Sequence, residues 1–285
     1  MMKAGIHYAD LVNTVSPTYA HEIMTPGGGA GLDGVLRHFT NKVHGVLNGI
    51  DVRIWNPATD VYLPEHYDRR DLAGKRASKV ELLKRARLPE TRVAQPMIGM
   101  VGRLVAQKGI DLLLPIADRL LSTDVTLVVL GSGAGEYETA LRELSKRFPD
   151  RVGVSIGFDN ALAHLITAAS DIFLMPSRYE PCGLNQMYSL AYGTIPVVRR
   201  TGGLADTVRE WNPESKKGTG FLFDHAEPEA LSAALGRALG AYWRQDDWKQ
   251  LIDNAMAEDF SWTRSAQRYR ELYDLAIAHR ARYVS

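Results

Sequence analysis

The chain has 285 residues, of which 45% are hydrophobic and 24% are charged, and its formal net charge is +1. These values are typical of a globular protein and exclude a global field that would attract nucleic acid or an anionic membrane, so an anion must be bound by a few placed cations. Cys182 is the only cysteine, which excludes an intrachain disulfide and a cysteine-based zinc cluster.

Targeting and metal-binding patterns are also missing from the sequence. No charged region followed by an apolar stretch opens the chain, as it would in a signal peptide. No apolar run reaches the ~18 residues that suggest a membrane span. The eight histidines are scattered. We therefore expect a cytoplasmic protein that binds no metal, no membrane and no nucleic acid.

The first 47 residues predict little regular structure. Leu11–Val15 is a candidate strand, and Ser16-Pro17 is a candidate helix start. Because two such elements cannot bury a core alone, we expect residues 1–47 to be the tail of another domain. The turn-like segment Asn48–Asp51 is the predicted hinge.

Beyond the hinge, a charge-rich linker at residues 56–95, with a candidate helix near Lys75–Arg87, leads into a regular pattern of apolar runs and amphipathic stretches. Short apolar strands that alternate with helices predict a parallel sheet covered on both faces, with ligands beyond the carboxyl ends of its strands. The predicted strands are Met97–Val101, Val125–Leu130, Val152–Ile156, Ile172–Met175, Pro196–Val198 and Gly220–Phe223. The predicted helices are Ile110–Leu121, Glu136–Arg147, Ala161–Ala168, Leu184–Tyr192, Leu204–Glu210, Pro228–Trp243, Trp248–Met256 and a last one from the N-cap Ser261 to about Ala278.

Two cations follow the first regular strand. Arg103 and Lys108 lie in one loop, ahead of the helix predicted from Ile110. A planar guanidinium, a mobile ammonium and the positive end of a helix can converge on one anion. On this spacing alone, two solvated surface cations remain the better interpretation.

The loops after the next two strands are ambiguous. Gly131–Gly135 is close to a dinucleotide-binding fingerprint, but Glu136 replaces its third glycine, and a simple turn is the better interpretation. Phe158 follows the next strand, where its ring could stack on a nucleobase or cap the core. The spacing leaves both roles of this ring open.

The segment Met175–Gln186 carries the richest chemistry. Its carboxylate, Glu180, lies between a strand and a helix start, where alone it would be interpreted as stabilising the helix dipole. Gly183 allows close backbone approach, and the amides of Gly183 and Leu184 would suit a phosphate oxygen. Thr201–Leu204 predicts a second glycine-lined helix start. Two such starts and two cations together predict a diphosphate site.

These stretches together resemble the glycogen and bacterial starch synthases, glycosyltransferase family five of the two-domain GT-B fold. The most specific motifs are Glu180–Leu184 and Thr201–Leu204. The wider retaining group carries a second glutamate where this chain has Tyr188, as in the glycogen synthase branch, and Asn185 stands where some members have threonine. The other matching runs are Lys3–Gly5, Val12–Tyr19, Leu47–Asp51, Gly102–Leu104, Gln107–Gly109, Pro176–Tyr179 and Ala205-Asp206.

The resemblance implies a role for each candidate residue. Arg103 and Lys108 bind the diphosphate of ADP-glucose. Glu180 contacts the transferred glucose and, with the two cations, completes the catalytic candidates. Asn48 reaches toward the glucose from the hinge, and Phe158 packs on the adenine. The remaining candidates for binding the nucleotide sugar are Cys182, Gly183, Leu184, Asn185, Thr201, Gly202 and Gly203.

The implied reaction is transfer of glucose from ADP-glucose to the non-reducing end of an α-1,4-glucan, with the anomeric configuration retained and without a cofactor. The implied fold is an α/β, GT-B type, Rossmann-like sheet domain over residues 48–262. Residues 1–47 would be the remnant of a second Rossmann-like domain, and a helix at 263–285 would pack on that missing domain.

Family members begin with a whole domain that carries a Lys-Thr-Gly-Gly-Leu loop, which is not found in this sequence. The chain is therefore expected to be a carboxyl-terminal portion that binds the nucleotide sugar but transfers no glucose alone. Three alternatives remain open. They are a retaining GT-B transferase that uses a UDP- or GDP-sugar, a non-catalytic nucleotide-sugar-binding module and, least supported, a nicotinamide oxidoreductase.

Overall fold

The computed structural model describes residues 1–284. It contains a small N-terminal segment, a large parallel-sheet domain and a long last helix. The strands are β1 (Val12–Thr14), β2 (Val43–Gly45), β3 (Met97–Val101), β4 (Thr126–Gly131), β5 (Val152–Ile156), β6 (Ile172–Met175), β7 (Ile195–Arg199) and β8 (Phe221–Phe223). The α-helices are α1 (Met2–Tyr8), α2 (Pro17–Glu22), α3 (Asp33–His38), α4 (Ala73–Arg85), α5 (Ile110–Leu113), α6 (Ala117–Ser122), α7 (Gly135–Arg147), α8 (Asn160–Ala169), α9 (Asn185–Ala191), α10 (Gly202–Thr207), α11 (Pro228–Tyr242), α12 (Gln245–Met256) and α13 (Trp262–Val284).

The large sheet is parallel throughout, with the strand order β5-β4-β3-β6-β7-β8. Its first strand in sequence, β3, lies at the centre, and the order reverses between β3 and β6. In an open parallel sheet, such a reversal opens a crevice at the carboxyl ends of the two strands. The loops that carry the predicted cations and the predicted carboxylate both begin at this crevice.

Apolar side chains cover both faces of the sheet. The strands β4 and β6 are buried along their whole lengths, which explains their continuous apolar runs. One face packs against α5, α6, α7, α11 and α12, and the other packs against α4, α8 and α10. The predicted α/β fold, with a parallel sheet covered on both faces, is confirmed.

The predicted strands are all present, and their ends shift by one residue at most. The single helix predicted over Ile110–Leu121 is wrong, because α5 and α6 are separated by a 3₁₀ turn at Leu114–Ile116. Pro115 explains the break, since proline lacks the backbone N–H and its ring clashes with the preceding helical turn.

The charge-rich stretch predicted as a linker is irregular as far as α4 (Ala73–Arg85), the helix expected within it, and it packs onto the domain. The buried carboxylate of Asp60 lies 2.7 Å from Nδ1 of His164 and accepts a hydrogen bond from the Tyr192 hydroxyl at 2.6 Å. The Trp55 ring stacks between those of His164 and Tyr188, with centroids 3.8 and 3.7 Å away. These contacts escaped prediction because the buried side chains here follow no helical or strand period.

The N-terminal segment, residues 1–47, forms a small layer beside the domain. Its strands β1 and β2 pair in parallel, and α13 runs along it, with Asn13 Nδ2 3.5 Å from the Tyr269 hydroxyl. The chain passes between segment and domain where the Ile50 N–H donates to the Phe260 carbonyl at 2.8 Å. The small core of the segment consists of Ile6, Ala20, Leu36 and Val43.

Within residues 1–284, no helix has both the length and the apolar character needed to cross a membrane.

Candidate functional site

The loop after β3 presents Arg103 at the crevice. The guanidinium of this exposed residue donates to Gln107 Oε1 at 3.1 Å. The Gln107 Nε2 in turn donates to the Tyr179 carbonyl at 2.6 Å, and the Gln107 carbonyl accepts from the Arg178 N–H at 2.9 Å. Gln107 therefore joins the loop after β3 to the loop after β6 and restrains the predicted phosphate-binding arginine.

Lys108 and Glu180 form an ion pair across the same crevice. The Lys108 Nζ lies 2.5 Å from Glu180 Oε2, and the two side chains are only 22% and 8% exposed. The same carboxylate oxygen accepts from the Ser177 hydroxyl at 3.0 Å. Gly109, at φ 76°, makes the close approach possible, since a Cβ there would lie 2.1 Å from the Pro176 carbonyl oxygen. Two of the three predicted catalytic residues are thus in direct contact.

The loop Cys182–Leu184 leads into α9 with free amides. Gly183 has φ +70°, a backbone conformation that favours glycine. Gln186, which is fully buried, donates from Nε2 to the carbonyls of Cys182 and Gly183 at 3.1 Å each. Within residues 1–284, no protein acceptor takes the N–H of Gly183 or Leu184. These two amides lie at the positive end of a helix and are available to an anion.

The second glycine-lined helix start is already occupied by protein acceptors. The Gly202 N–H and the Thr201 hydroxyl both donate to Glu22 Oε1 at 2.9 Å. The Gly203 N–H donates to the Glu180 carbonyl at 3.1 Å. A phosphate oxygen could reach this helix start only by displacing the Glu22 carboxylate. The predicted assignment of Thr201, Gly202 and Gly203 to the diphosphate therefore stays a prediction, and it requires that displacement.

Two other candidates, Asn185 and Cys182, face the protein. The Asn185 Nδ2 donates to the Val101 carbonyl at 2.8 Å and so ties α9 to the end of β3 instead of reaching into the crevice. Burial raises the pKa of the Cys182 thiol, against the opposing effect of the nearby Asn48 backbone N–H. A thiol with a raised pKa is a poor nucleophile at neutral pH. Cys182 is therefore buried in the loop, while the predicted reach of the Asn48 side chain toward the glucose stays a prediction.

A pocket of about 220 Å³ opens where β3, β4 and β5 end. Phe158 stands at its rim with 93% of its surface exposed, and Arg103 lines the side nearest the crevice. The wall is a close backbone contact, because a Cβ on Gly131 would lie 1.9 Å from the Gly102 carbonyl oxygen. The loop Gly131–Gly135 is therefore a packed turn, as interpreted from its sequence. A pocket beside an exposed ring suits a nucleobase.

Four polar residues that hold this site together were not predicted as site residues. Gln107 and Ser177 lie inside the quoted motifs, but no sequence pattern shows which carbonyl or carboxylate a side chain contacts. Gln186 follows a glycine turn, and the sequence likewise does not show which carbonyls its side chain contacts. Glu22 lies 180 positions from Gly202, and only the three-dimensional fold brings them together. Within the part of the chain that the structure describes, no group of three His, Cys, Asp or Glu side chains could hold a metal ion.

Comparison with known proteins supports one family. Residues 86–255 match the family model "Glycosyl transferases group 1", and residues 1–38 match the "Starch synthase catalytic domain". A glycogen synthase of Anaeromyxobacter dehalogenans is 53% identical over 272 residues, which are 95% of this chain and 57% of that protein. A glycogen synthase of Thermotoga maritima is 51% identical over 281 residues, which are 97% and 57% of the two chains. The chain thus spans little more than half the length of these relatives.

Solved structures give the same result. The catalytic domain of starch synthase IV from Arabidopsis thaliana, bound to ADP and acarbose, has a TM-score of 0.90 and 38% identity. The match covers 97% of this chain and 58% of that one. A sucrose-phosphate synthase from Thermosynechococcus elongatus, at 22% identity and a TM-score of 0.64 over 97% of this chain and 61% of that one, shares the fold alone. With the group 1 model matched over more than half of its residues, the chain belongs to the group 1 glycosyl transferases, within which it is similar to glycogen and starch synthases.

Proposed function

We propose that this chain provides the donor side of a retaining glucosyl transfer from ADP-glucose to the non-reducing end of an α-1,4-glucan. The observation that carries the proposal is the crevice between β3 and β6. There, Arg103 and Lys108 lie on one loop, opposite the free N–H groups of Gly183 and Leu184. Two cations and two unpartnered amides form a site for a diphosphate.

The same groups would act during transfer. As the bond between glucose and diphosphate breaks, negative charge builds on the departing diphosphate. Arg103 and Lys108 would stabilise that charge from fixed positions, the guanidinium restrained by Gln107 and the ammonium by Glu180. Because Lys108 already contacts Glu180, a diphosphate bound by Lys108 would place its glucose next to the Glu180 carboxylate. This carboxylate would then lie where positive charge develops on the sugar.

The adenine would stack on Phe158 at the rim of the neighbouring pocket. Arg103 lines both this pocket and the crevice, which fits one ligand with a base at one end and a diphosphate at the other. The ADP bound to the related starch synthase IV catalytic domain supports an adenine nucleotide. Preference for ADP over UDP or GDP is part of the proposal.

We also propose the domain organisation expected from the sequence. Residues 48–262 would form the donor domain, and the N-terminal segment and the helix from residue 263 would belong with an acceptor domain like that of longer relatives. The contact between α13 and the segment supports this grouping. A cytoplasmic location is proposed as well, since the lone buried thiol suits a reducing compartment.

Titration calorimetry on the 285-residue chain with ADP, UDP and GDP tests the proposal. We expect ADP to bind most tightly, and Arg103→Ala to weaken ADP binding about tenfold, the loss of roughly 1.4 kcal/mol expected for a charge-assisted contact. Arg119→Ala, at an exposed arginine of α6 outside the pocket, is the matched control. Tighter binding of UDP or GDP would reject the adenine assignment, and an Arg103→Ala variant that binds as tightly as the parent would reject the diphosphate site.

A further inference from the structure

The N-terminal segment is fastened to the donor site through α2 and α10. Asp206, near the end of α10, receives hydrogen bonds at the start of α2, from the Ser16 hydroxyl at 2.5 Å and from the Thr18 hydroxyl at 2.6 Å. The Thr18 N–H donates to the same carboxylate at 3.1 Å. A carboxylate is favoured there because the first N–H groups of a helix lack partners within it.

The opposite ends of the two helices are joined in the same way. Glu22, the last residue of α2, accepts from the Thr201 hydroxyl and the Gly202 N–H at the start of α10, each at 2.9 Å. The helices therefore lie antiparallel, and each receives a carboxylate from the other at its N-terminus. We call the two carboxylates, Glu22 and Asp206, the reciprocal clamp.

The clamp acts on the backbone that carries Glu180. The first turn of α10 lies directly beneath it, since a Cβ on Gly202 would be 1.9 Å from the Glu180 carbonyl oxygen and one on Gly203 would be 2.0 Å from that of Cys182. The Gly203 N–H donates to the Glu180 carbonyl at 3.1 Å. A movement of α10 would therefore displace the backbone of Glu180 and Cys182.

The segment that the clamp holds also covers Cys182. This side chain is 5% exposed and belongs to a small apolar cluster with Ile50. Val15 and Leu47, both in the N-terminal segment, pack against the cluster. The backbone N–H of Asn48 lies near the sulfur. Release of the segment would therefore expose this thiol, which is the only one in the chain.

We propose that Glu22 and Asp206 are positioning residues that hold the N-terminal segment closed over the donor site and fix the backbone of Glu180 through α10. The part that concerns Glu180 rests on the proposed function, since only a bound nucleotide sugar would present a glucose to that carboxylate. The closure itself is a property of the chain without ligand. The two parts can therefore be tested separately.

The rate at which a maleimide labels Cys182 tests the closure. On the 285-residue chain, without nucleotide, Glu22→Ala and Asp206→Ala should each raise the rate about tenfold or more, which equals ~1.4 kcal/mol of lost closure. Glu22→Gln keeps an oxygen that can accept from Thr201 and Gly202, so its rate should lie nearer that of the parent. Glu271→Ala, which breaks an exposed ion pair within α13, is the control and should label like the parent.

Low urea separates clamp opening from general instability. A local opening exposes little surface, so its labelling rate should be nearly independent of urea, whereas labelling through global unfolding rises steeply. Parent-like rates in Glu22→Ala and Asp206→Ala would overturn the proposal. So would a faster rate that rises with urea as global unfolding does, or a Glu22→Gln rate equal to that of Glu22→Ala.

Calorimetry tests the positioning of Glu180. Glu22→Ala should weaken the binding of ADP-glucose severalfold more than that of ADP, because only ADP-glucose presents a glucose to Glu180. Equal losses for both ligands would show that the clamp does not position this carboxylate. If the parent chain binds neither ligand, the proposed function fails, and the positioning role fails with it, while the labelling rates still decide whether the clamp closes the segment.

Discussion

The ion pair between Lys108 and Glu180 should be strongly coupled, and its strength can be worked from its geometry. The two charged atoms are 2.5 Å apart, and the side chains are 22% and 8% exposed. Removing one partner of a fully buried pair costs ~3–5 kcal/mol, and a hydrogen bond to a charged group contributes ~1.5–3 kcal/mol. Because Lys108 keeps some contact with water and Ser177 still donates to the carboxylate, we expect Lys108→Ala to lower the free energy of unfolding by ~2 kcal/mol.

A double-mutant cycle isolates that coupling. Urea unfolding of the parent, Lys108→Ala, Glu180→Gln and the double variant should give an interaction free energy of ~1–2 kcal/mol, since Glu180→Gln removes the charge that Lys108→Ala would leave without its cation. The exposed pair Lys146–Glu143, with side chains 71% and 58% exposed, is the matched control and should show almost no coupling. Additive single losses at Lys108 and Glu180 would refute the interpretation of the crevice as a preformed charged site.

Three further predictions test other parts of the account. Gly203→Ala should lower the free energy of unfolding in urea by ~3 kcal/mol, because the new methyl group would lie 2.0 Å from the Cys182 carbonyl oxygen, and backbone atoms move aside less readily than a side chain. An unchanged free energy of unfolding would contradict the packing of α10. Burial lowers the pKa of Lys75 to about 7 from 10.5. Between these pH values the unfolded chain binds more protons than the folded one, so the free energy of unfolding should rise with pH. A rise of the same size in Lys75→Met would exclude this lysine as its source. Phe158→Ala should change the free energy of unfolding by less than ~0.5 kcal/mol, because the ring is 93% exposed. In calorimetry the same variant should bind ADP more weakly by ~1–3 kcal/mol, and an unchanged affinity would show that the ring does not contact the base.

The large sheet could be predicted from the sequence because its signal is local. Each strand is a short apolar run between turn residues, and the runs at β4 and β6 are buried on both faces, so pattern and environment agree. The break at Pro115 was missed because the apolar period continues through it, although proline cannot continue the helical hydrogen bonds. Local patterns therefore predict where the helices and strands lie better than they predict whether each helix is continuous.

The site could be predicted only in part. The motifs taken together, and their resemblance to the glycogen and starch synthases, identified Arg103, Lys108 and Glu180, and the structure brings all three to the crevice. The sequence motifs could not show that Gly202 already donates to Glu22, because that contact depends on how the N-terminal segment packs against the domain. Helix starts that look alike in sequence therefore differ in whether their amides are free.

Amide chemical shifts of the isotope-labelled chain, recorded while ADP is added, test the central claim most directly. If the diphosphate binds at the crevice between β3 and β6, the N–H resonances of Gly183 and Leu184 should show large, saturable shifts. Those of Gly202 and Gly203, which are held by protein acceptors, should move much less. Large shifts at Gly202 and Gly203 with none at Gly183 and Leu184 would contradict the account, because the diphosphate would then have displaced Glu22 and bound at the other helix start.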